Sequence, residues 1–200
     1  MNEWLARFYP ESRFGGFTDI DGNVAFYSRV NALLQPSFVV VDFGCGRGTH
    51  QDDAVIFRRG LRCLKGKVSR VIGVDADENG WTNSSIDEFR LLVPGRPWPL
   101  SDRSVDMVIC DCVIEHLPDP SAFFDEAARV LVGGGYLCIR TPNVHSYIGI
   151  ASRFVPNKYH SKILKVVQTG REERDVFPTF IAATRFRPCG SNSRTVISGQ

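Results

Sequence analysis

The sequence VVVDFGCGRG, from Val39 to Gly48, is an apolar run that leads into three glycines at alternate positions. Glycines at such a turn let the chain bend sharply and let a ligand approach the main-chain N–H groups closely. Asp42, just before these glycines, offers a carboxylate to a cationic or hydroxyl group of that ligand. Because a glycine turn can also be purely structural, its meaning depends on what the neighbouring strand carries.

A second apolar run, RVIGVD from Arg70 to Asp75, ends in an acid. An acid at the end of the second strand of a nucleotide-binding fold accepts hydrogen bonds from the ribose hydroxyls. The two strand ends together predict a nucleoside site. The nicotinamide pattern G-x-G-x-x-G is not met, because Thr49 stands where the third glycine would follow Gly44 and Gly46.

From Ser37 onward, short β-branched runs alternate with helical patterns, which is typical of a parallel sheet with crossover helices. The nearly continuous apolar character of the runs predicts strands that are buried on both faces. The predicted strands are Phe38–Phe43, Val71–Val74, Val105–Cys110 and Tyr136–Ile139. Helices are predicted at Val24–Leu34 and between Leu117 and Gly133, the second capped by Asp119 and stopped by glycines 133–135. The predicted fold class is therefore α/β, with a Rossmann-like, doubly wound sheet.

The pattern D-x-G-x-G-x-G that starts at Asp42 resembles motif I of the class I S-adenosylmethionine-dependent methyltransferases, and Asp75 is similar to their ribose-binding acid. Three further segments are similar to that family in the family's order: 97–106, 113–120 and 129–143. The resemblance is to the methyltransferase type 11 kind and covers about residues 26–143. It implies the class I methyltransferase sheet as the fold and S-adenosylmethionine as the cofactor.

In that family, motif I contacts the methionine part of the cofactor, and the second-strand acid holds the ribose. By position, the resemblance implies a cofactor site formed by Asp42, Gly44, Cys45, Gly46, Gly48, Asp75 and Ala76, with Asp111 as a wall of the methionine pocket. Tyr27 and Arg29 are candidates for the cofactor carboxylate, although Tyr27 equally suits packing and Arg29 a solvated charge. The family's polar group beside the adenine amine has no clear counterpart, and Glu88 is only close to it in sequence.

S-adenosylmethionine carries a methyl group already activated on a sulfonium, so such an enzyme mainly holds donor and nucleophile in line and excludes water. A hydroxyl acceptor would benefit from a general base, and His116 and His145 are the candidates because both follow strands at the edge of the predicted site. Each of them also suits a structural role. Asp111, Glu115 and His116 have spacings that could gather a divalent ion, but we expect a site without metal.

The overall charge is nearly balanced, with 24 Lys and Arg against 22 Asp and Glu. This balance argues against a chain that wraps nucleic acid or coats an anionic membrane, and it favours a small-molecule acceptor. No apolar run reaches the length of a membrane span, and residues 1–10 lack the apolar centre of a signal peptide. Six scattered cysteines suit reduced thiols. We therefore expect a cytoplasmic protein without stable membrane insertion.

Four stretches of different character divide the chain: lead-in helices at 1–36, the core that resembles an S-adenosylmethionine-binding domain at 37–143, a basic helical region on the acceptor side at 144–184, and an irregular tail at 185–200. The family sheet ends in two strands beside the fifth, but no strand pattern follows Thr184. The last strands are therefore expected to be missing. The strand Tyr136–Ile139 would then be an open edge that could join two copies in a homodimer. A shifted reading frame after Phe180 would explain such a tail.

Functions from different classes remain open at this point. The first is methyl transfer from S-adenosylmethionine to a small-molecule or glycan-like acceptor by in-line displacement. The second is a truncated protein that binds the cofactor without catalysis, which turnover of any acceptor would exclude. A nucleotide-sugar or nicotinamide enzyme would be indicated instead if the chain bound those ligands and ignored S-adenosylmethionine.

Overall fold

Six strands form one sheet in this computed structural model, which describes residues 3–141 and 194–199. The strands are β1 (Val39–Phe43), β2 (Arg70–Asp75), β3 (Glu88–Leu91), β4 (Val105–Asp111), β5 (Leu131–Thr141) and β6 (Arg194–Gly199). Their order is β3-β2-β1-β4-β5-β6, and every pair of neighbours is parallel. The chain thus reverses its direction of travel across the sheet between β3 and β4.

Helices cover both faces of this sheet. The described helices are α1 (Glu3–Phe8), α2 (Gly22–Leu33), α3 (Ile56–Arg62) and α4 (Pro120–Val130), and short 3₁₀ turns lie at Pro10–Arg13, Thr49–Asp52, Glu78–Thr82 and Ile114–His116. α2 packs on one face through Phe26 and Val30, whereas α4 packs on the other through Phe123, Ala127 and Val130. The prediction of a doubly wound α/β sheet is confirmed.

Burial on both faces explains why the central strands were predictable. Val40 and Val41 in β1, like Met107 and Val108 in β4, are fully buried although neighbouring residues face opposite sides of the sheet. Such strands need apolar residues at nearly every position, and this produces the continuous runs seen in the sequence. By contrast, β3 was not predicted, because only Phe89 among its four residues is buried.

α4 begins where the sequence predicts it. Asp119 caps the helix, since its Oδ1 accepts a hydrogen bond from the Ser121 amide at 2.9 Å, and Pro120 occupies the first turn. Its end differs from the prediction. The helix stops at Val130 and β5 begins at once at Leu131, so glycines 133–135 lie inside the strand instead of ending the helix.

The other edge of the sheet corrects an expectation. β6 pairs with β5 from Tyr136↔Arg194 to Thr141↔Gly199, so β5 is not an edge strand. Residues 194–199 thus form one strand within the stretch 185–200, where the sequence showed no strand pattern. The proposed homodimer through an open β5 edge loses its premise. The sequence of β6 offered little signal, because only Val196 and Ile197 are apolar among its six residues.

The predicted basic region at 144–184 and the predicted shift of reading frame after Phe180 lie outside the described residues. Among the helices that the structure does describe, none is long and apolar enough to span a membrane.

Candidate active site

Three carboxylates share one face of the sheet at the carboxyl ends of neighbouring strands. Asp42 lies in β1, and Asp75 and Asp111 are the last residues of β2 and β4. Because side chains alternate along a strand, all three lie on the face covered by α2 and α3, as do Val40 and Ile109 two residues earlier. This is also where the strand order reverses, and ligands of open α/β sheets bind outside the strand ends at such a point.

The glycine loop between β1 and the 3₁₀ turn Thr49–Asp52 has two differently constrained glycines. Gly44 and Gly46 both have positive φ, +75° and +48°, which favours glycine. A Cβ on Gly44 would lie 2.3 Å from a methyl carbon of Val113, whereas a Cβ on Gly46 would meet no atom of the described residues within 4 Å. Gly44 is therefore needed for packing, and Gly46 faces open space where a ligand can approach the main chain.

Asp75 ties the glycine loop to the end of β2. Its Oδ2 accepts a hydrogen bond from the Gly46 amide at 2.8 Å, and its Oδ1 accepts one from the Asp77 amide at 2.9 Å. Gly44 adds a second tie, because its amide donates to the Val74 carbonyl at 2.8 Å. Carboxylate oxygens can accept more than one hydrogen bond each, so Asp75 retains capacity for hydroxyl donors of a ligand. Ala76, the next residue, is exposed.

Asp42 is the acid with spare capacity. No described residue donates a hydrogen bond to its partly buried carboxylate. Burial raises the pKa of Asp42 from 3.8 to about 7, the negative charges of Asp111 and Asp75 add to this rise, and Arg62 opposes it. A cationic group placed beside Asp42 would relieve this penalty, so the arrangement suits a positively charged ligand.

Asp111 differs, because its oxygens are already bound. Arg140 grips it with two donors, Nε to Oδ1 at 2.6 Å and Nη2 to Oδ2 at 2.9 Å, and the Tyr27 hydroxyl donates to Oδ2 at 3.0 Å. The Asp111 side chain is 8% exposed. Arg140 also donates to Asn23 Oδ1 at 2.7 Å, which joins β5 to the start of α2. Asp111 therefore organises the edge of the site and lies behind it.

The other candidate residues, Tyr27, Arg29 and Glu88, are each bound to a neighbouring residue of the protein. Tyr27 lies at the site but its hydroxyl is used by Asp111, and burial raises its pKa well above the usual value. Arg29 lies on the exposed side of α2, where its Nη1 donates to the Ala25 carbonyl at 2.7 Å. Glu88 is ion-paired to Arg90 at 2.7 Å, in the strand next to β2.

Cys45 can contribute only its main chain. Its side chain is buried in the core on the α2 and α3 face, and a Cβ added to Gly73 would lie 2.7 Å from its sulfur. Burial raises the pKa of the Cys45 thiol above its usual value. The absence of a side chain at Gly73 makes room for it. Gly73 in β2 therefore allows the Cys45 side chain, and with it the glycine loop, to pack closely on the sheet.

Of the two predicted bases, His116 lies in the turn that follows the carboxyl end of β4. His116 ends the 3₁₀ turn that follows β4, and its amide donates to the Val113 carbonyl at 2.9 Å. Its neighbour Glu115 accepts a hydrogen bond from Thr141 Oγ1 at 3.1 Å, and burial raises the Glu115 pKa. His145 lies outside the described residues. Within the described residues, no group of three or more His, Cys, Asp or Glu side chains is placed to hold a metal ion.

Three residues of the site were missed by the sequence analysis: Asn83, Arg140 and His50. Asn83 is buried beneath the glycine loop, and Arg140 binds Asp111. His50 is 9% exposed in the turn after the glycines, and its Nε2 has no hydrogen-bond partner among the described residues. Burial, followed by the charge of Arg62, lowers the pKa of His50 to about 4. The position of His50 soon after the glycine motif is visible in the sequence, but nothing in the sequence indicates that its side chain is buried.

The wild-type protein should lose folding free energy at acid pH because of His50, and His50→Leu should abolish this loss. The pKa of His50 falls from 6.5 to about 4 on folding, so the unfolded chain binds its proton first as the pH drops. The wild type therefore loses about 3 kcal/mol between pH 6.5 and pH 4 through this residue, and nothing above pH 6.5. Urea unfolding at pH 7.5 and pH 4.5 measures the difference. Equal losses in the two proteins would show that His50 is not buried as a neutral imidazole.

Comparison with known proteins identifies the class of domain. Residues 41–139 match the family model described as "Methyltransferase domain". A Mycobacterium tuberculosis protein named a probable S-adenosylmethionine-dependent methyltransferase is 37% identical over 107 residues, which are 52% of this chain and 35% of that protein. A Mycolicibacterium smegmatis protein with the same description is 31% identical over 138 residues, 64% of this chain and 47% of the relative. The chain thus spans less than half the length of these relatives.

The similarity extends to solved structures. An S-adenosylmethionine-dependent methyltransferase of Thermotoga maritima matches with 23% sequence identity and a TM-score of 0.49. The match covers 80% of this chain and 65% of the Thermotoga protein.

Proposed function

We propose that this chain binds S-adenosylmethionine at the carboxyl ends of β1 and β2 and transfers its methyl group to a small-molecule or glycan-like acceptor. The observation that carries the proposal is the position of Asp42 and Gly46 near each other in the chain at the end of β1. A carboxylate without a described donor lies in the strand that leads to a glycine with open space above it, within a methyltransferase domain. A cationic ligand with hydroxyl groups complements such a site.

The residues present fit this cofactor. The Asp42 carboxylate would hold the cationic amino group of the methionine part, and the main chain of Cys45, Gly46 and Gly48 would line the same part. Asp75 would accept hydrogen bonds from the ribose hydroxyls, and Ala76 would border the adenine. Gly44 would shape the turn. Asp111 would not contact the ligand directly but would hold Tyr27 and Arg140 in place at the wall of the methionine pocket.

When bound, S-adenosylmethionine supplies a methyl group activated on a sulfonium. The chain's own contribution is then electrostatic and geometric. Two acids on one sheet face, Asp42 and Asp75, favour a positive charge at the strand ends, whereas the charge of Asp111 is balanced by Arg140. The rigid strand ends fix the direction in which the acceptor must approach. For a hydroxyl acceptor, we propose His116 or His145 as the base that removes the proton.

We also propose that the protein works in the cytoplasm. The described cysteines at 45, 63, 110, 112 and 138 are all free thiols, and Cys45, Cys110 and Cys138 are buried. Thiols persist in a reducing compartment. In oxidising buffer the partly exposed thiols of Cys63 and Cys112 should become modified, as mass spectrometry would detect, and unmodified Cys63 and Cys112 would contradict the need for a reducing compartment.

Methyl transfer itself can be tested with methyl-labelled S-adenosylmethionine and a cell extract fractionated by size and class. We expect label in a low-molecular-weight or glycan fraction, and an Asp75→Ala chain should incorporate at least about tenfold less, because both the ribose contact and the hydrogen bond from the Gly46 amide are lost. Asp77→Ala is the matched control, because the Asp77 carboxylate serves only its own turn through Asn79.

The same experiment separates the alternatives. Label in RNA or protein would contradict a small-molecule acceptor. Cofactor binding without label in any fraction would favour the alternative, a cofactor-binding protein without catalysis. Saturable binding of a nicotinamide nucleotide or a nucleotide sugar, with none of S-adenosylmethionine, would move the chain to another enzyme class.

A further inference from the structure

The segment between β2 and β3 is short and supports the glycine loop. It contains only the 3₁₀ turn Glu78–Thr82, and the next residue, Asn83, is 5% exposed. Asn83 Nδ2 donates to the carbonyls of both Cys45 and Gly46, each at 3.1 Å. Its Oδ1 accepts from the Ser85 amide at 2.9 Å and from Ser85 Oγ at 2.5 Å. Both ends of this buried amide are thus used.

These bonds set the direction of two peptide groups in the loop. In a trans peptide, the carbonyl of one residue and the N–H of the next point in opposite directions. Because the carbonyls of Cys45 and Gly46 face Asn83, the N–H groups of Gly46 and Arg47 point away from it. The Gly46 N–H indeed reaches Asp75 Oδ2 on the other side, at 2.8 Å. The peptide between Cys45 and Gly46 is therefore held from both sides.

Close packing leaves the loop little freedom to depart from this arrangement. A Cβ on Gly48 would lie 2.5 Å from Asn83 Oδ1, so the loop wraps around the amide. Ser84, beside Asn83, donates from its Oγ to Gln51 Oε1 at 2.9 Å. Lys65 holds the same segment through the Ile86 carbonyl at 2.7 Å. The support under the loop is thus itself fixed at two further points.

We propose that Asn83 is a positioning residue that holds the glycine loop in its binding conformation before S-adenosylmethionine arrives. This inference rests on the proposed function. An amide is required, because the two carbonyls need donors while Ser85 needs an acceptor. Without Asn83 the loop carbonyls can turn toward the ligand, and binding must then include the cost of reordering the loop.

Asn83→Asp tests the proposal with the smallest change of shape. The carboxylate keeps the acceptor for Ser85 but presents no donor to the loop carbonyls. We expect the dissociation constant for S-adenosylhomocysteine to rise at least tenfold by titration calorimetry, and hydrogen exchange at the Gly46 amide to accelerate. Asn79→Ala is the matched control, since the exposed Asn79 side chain donates only to Asp77 within the same turn.

The readouts separate positioning from a merely structural role. A structural role predicts lower unfolding temperature but unchanged affinity in the folded fraction and unchanged exchange at Gly46, and this result would overturn the proposal. If Asn83→Asp does not fold, Ser85→Ala carries the test, because it removes one bond to Asn83 Oδ1 and should weaken binding two- to fivefold. Unchanged affinity in Ser85→Ala would then contradict the proposal. Failure of the wild type to bind S-adenosylhomocysteine would instead contradict the proposed function.

Discussion

Asp42→Asn should weaken S-adenosylmethionine binding about 10- to 100-fold and yet stabilise the empty protein by about 4 kcal/mol at pH 8. The binding loss follows because an amide replaces the carboxylate that would face the cationic amino group. The stability gain follows from the raised pKa of about 7, since at pH 8 the folded chain holds an ionised acid in a place that disfavours it. Calorimetric titration and urea unfolding measure the two effects on the same samples.

The pH dependence gives this prediction its sign. The unfolded chain loses the Asp42 proton near pH 3.8 and the folded chain near pH 7, so the penalty grows between these values and is constant above them. The advantage of Asp42→Asn should therefore shrink from pH 8 to pH 4. Wild-type affinity should also fall as the pH drops below 7, while the variant's affinity stays flat. A variant that binds normally, or is less stable than the wild type at pH 8, would contradict the role given to Asp42.

Arg140→Met should cost about 3 kcal/mol of folding free energy, because it removes the bidentate partner of the buried Asp111 and leaves only the longer ion pair with Arg62, at 3.7 Å. The Asp111 side chain is 8% exposed and the Arg140 side chain 14%, and the pair is bidentate. Removal of both charges in Arg140→Met/Asp111→Asn should recover most of the loss, since an uncharged amide is far easier to bury. Urea unfolding of the wild type and the two variants gives the comparison.

Arg90→Met is the matched control for this prediction. Its ion pair with Glu88 has side chains that are 29% and 40% exposed, so the change should cost less than about 1 kcal/mol. Equal losses in Arg90→Met and Arg140→Met would show that the Asp111 pair is no more buried than a surface pair. A double variant as unstable as the single Arg140 variant would show that the Asp111 charge is not the cause.

The central strands were predictable because parallel strands under two layers of helices need apolar residues at nearly every position. β1 and β4 show this directly, since Val40, Val41, Met107 and Val108 are all fully buried. The strands at the sides of the sheet carry less of this signal. In β3 the charged Glu88 and Arg90 break the apolar run, and β6 was not predicted at all.

The site was predictable to the extent that its residues lie in one local pattern. The glycines, Asp42 and Asp75 follow from strand ends that the sequence displays. Contacts between distant segments leave no such pattern. Asn83 binds carbonyls 37 and 38 positions earlier, and Arg140 binds an acid 29 positions earlier. For this reason the sequence identified Asp111 as an acid of the site, but it did not show that the Asp111 oxygens already accept hydrogen bonds from Tyr27 and Arg140.

The central claim is that the ends of β1 and β2 bind S-adenosylmethionine, and calorimetric titration of the 200-residue chain with S-adenosylmethionine and S-adenosylhomocysteine tests it most directly. The account predicts saturable binding of both ligands at one site per chain, lost in Asp75→Ala and retained in Asp77→Ala. A folded chain that binds neither ligand, or binds them equally well without the Asp75 carboxylate, would contradict it.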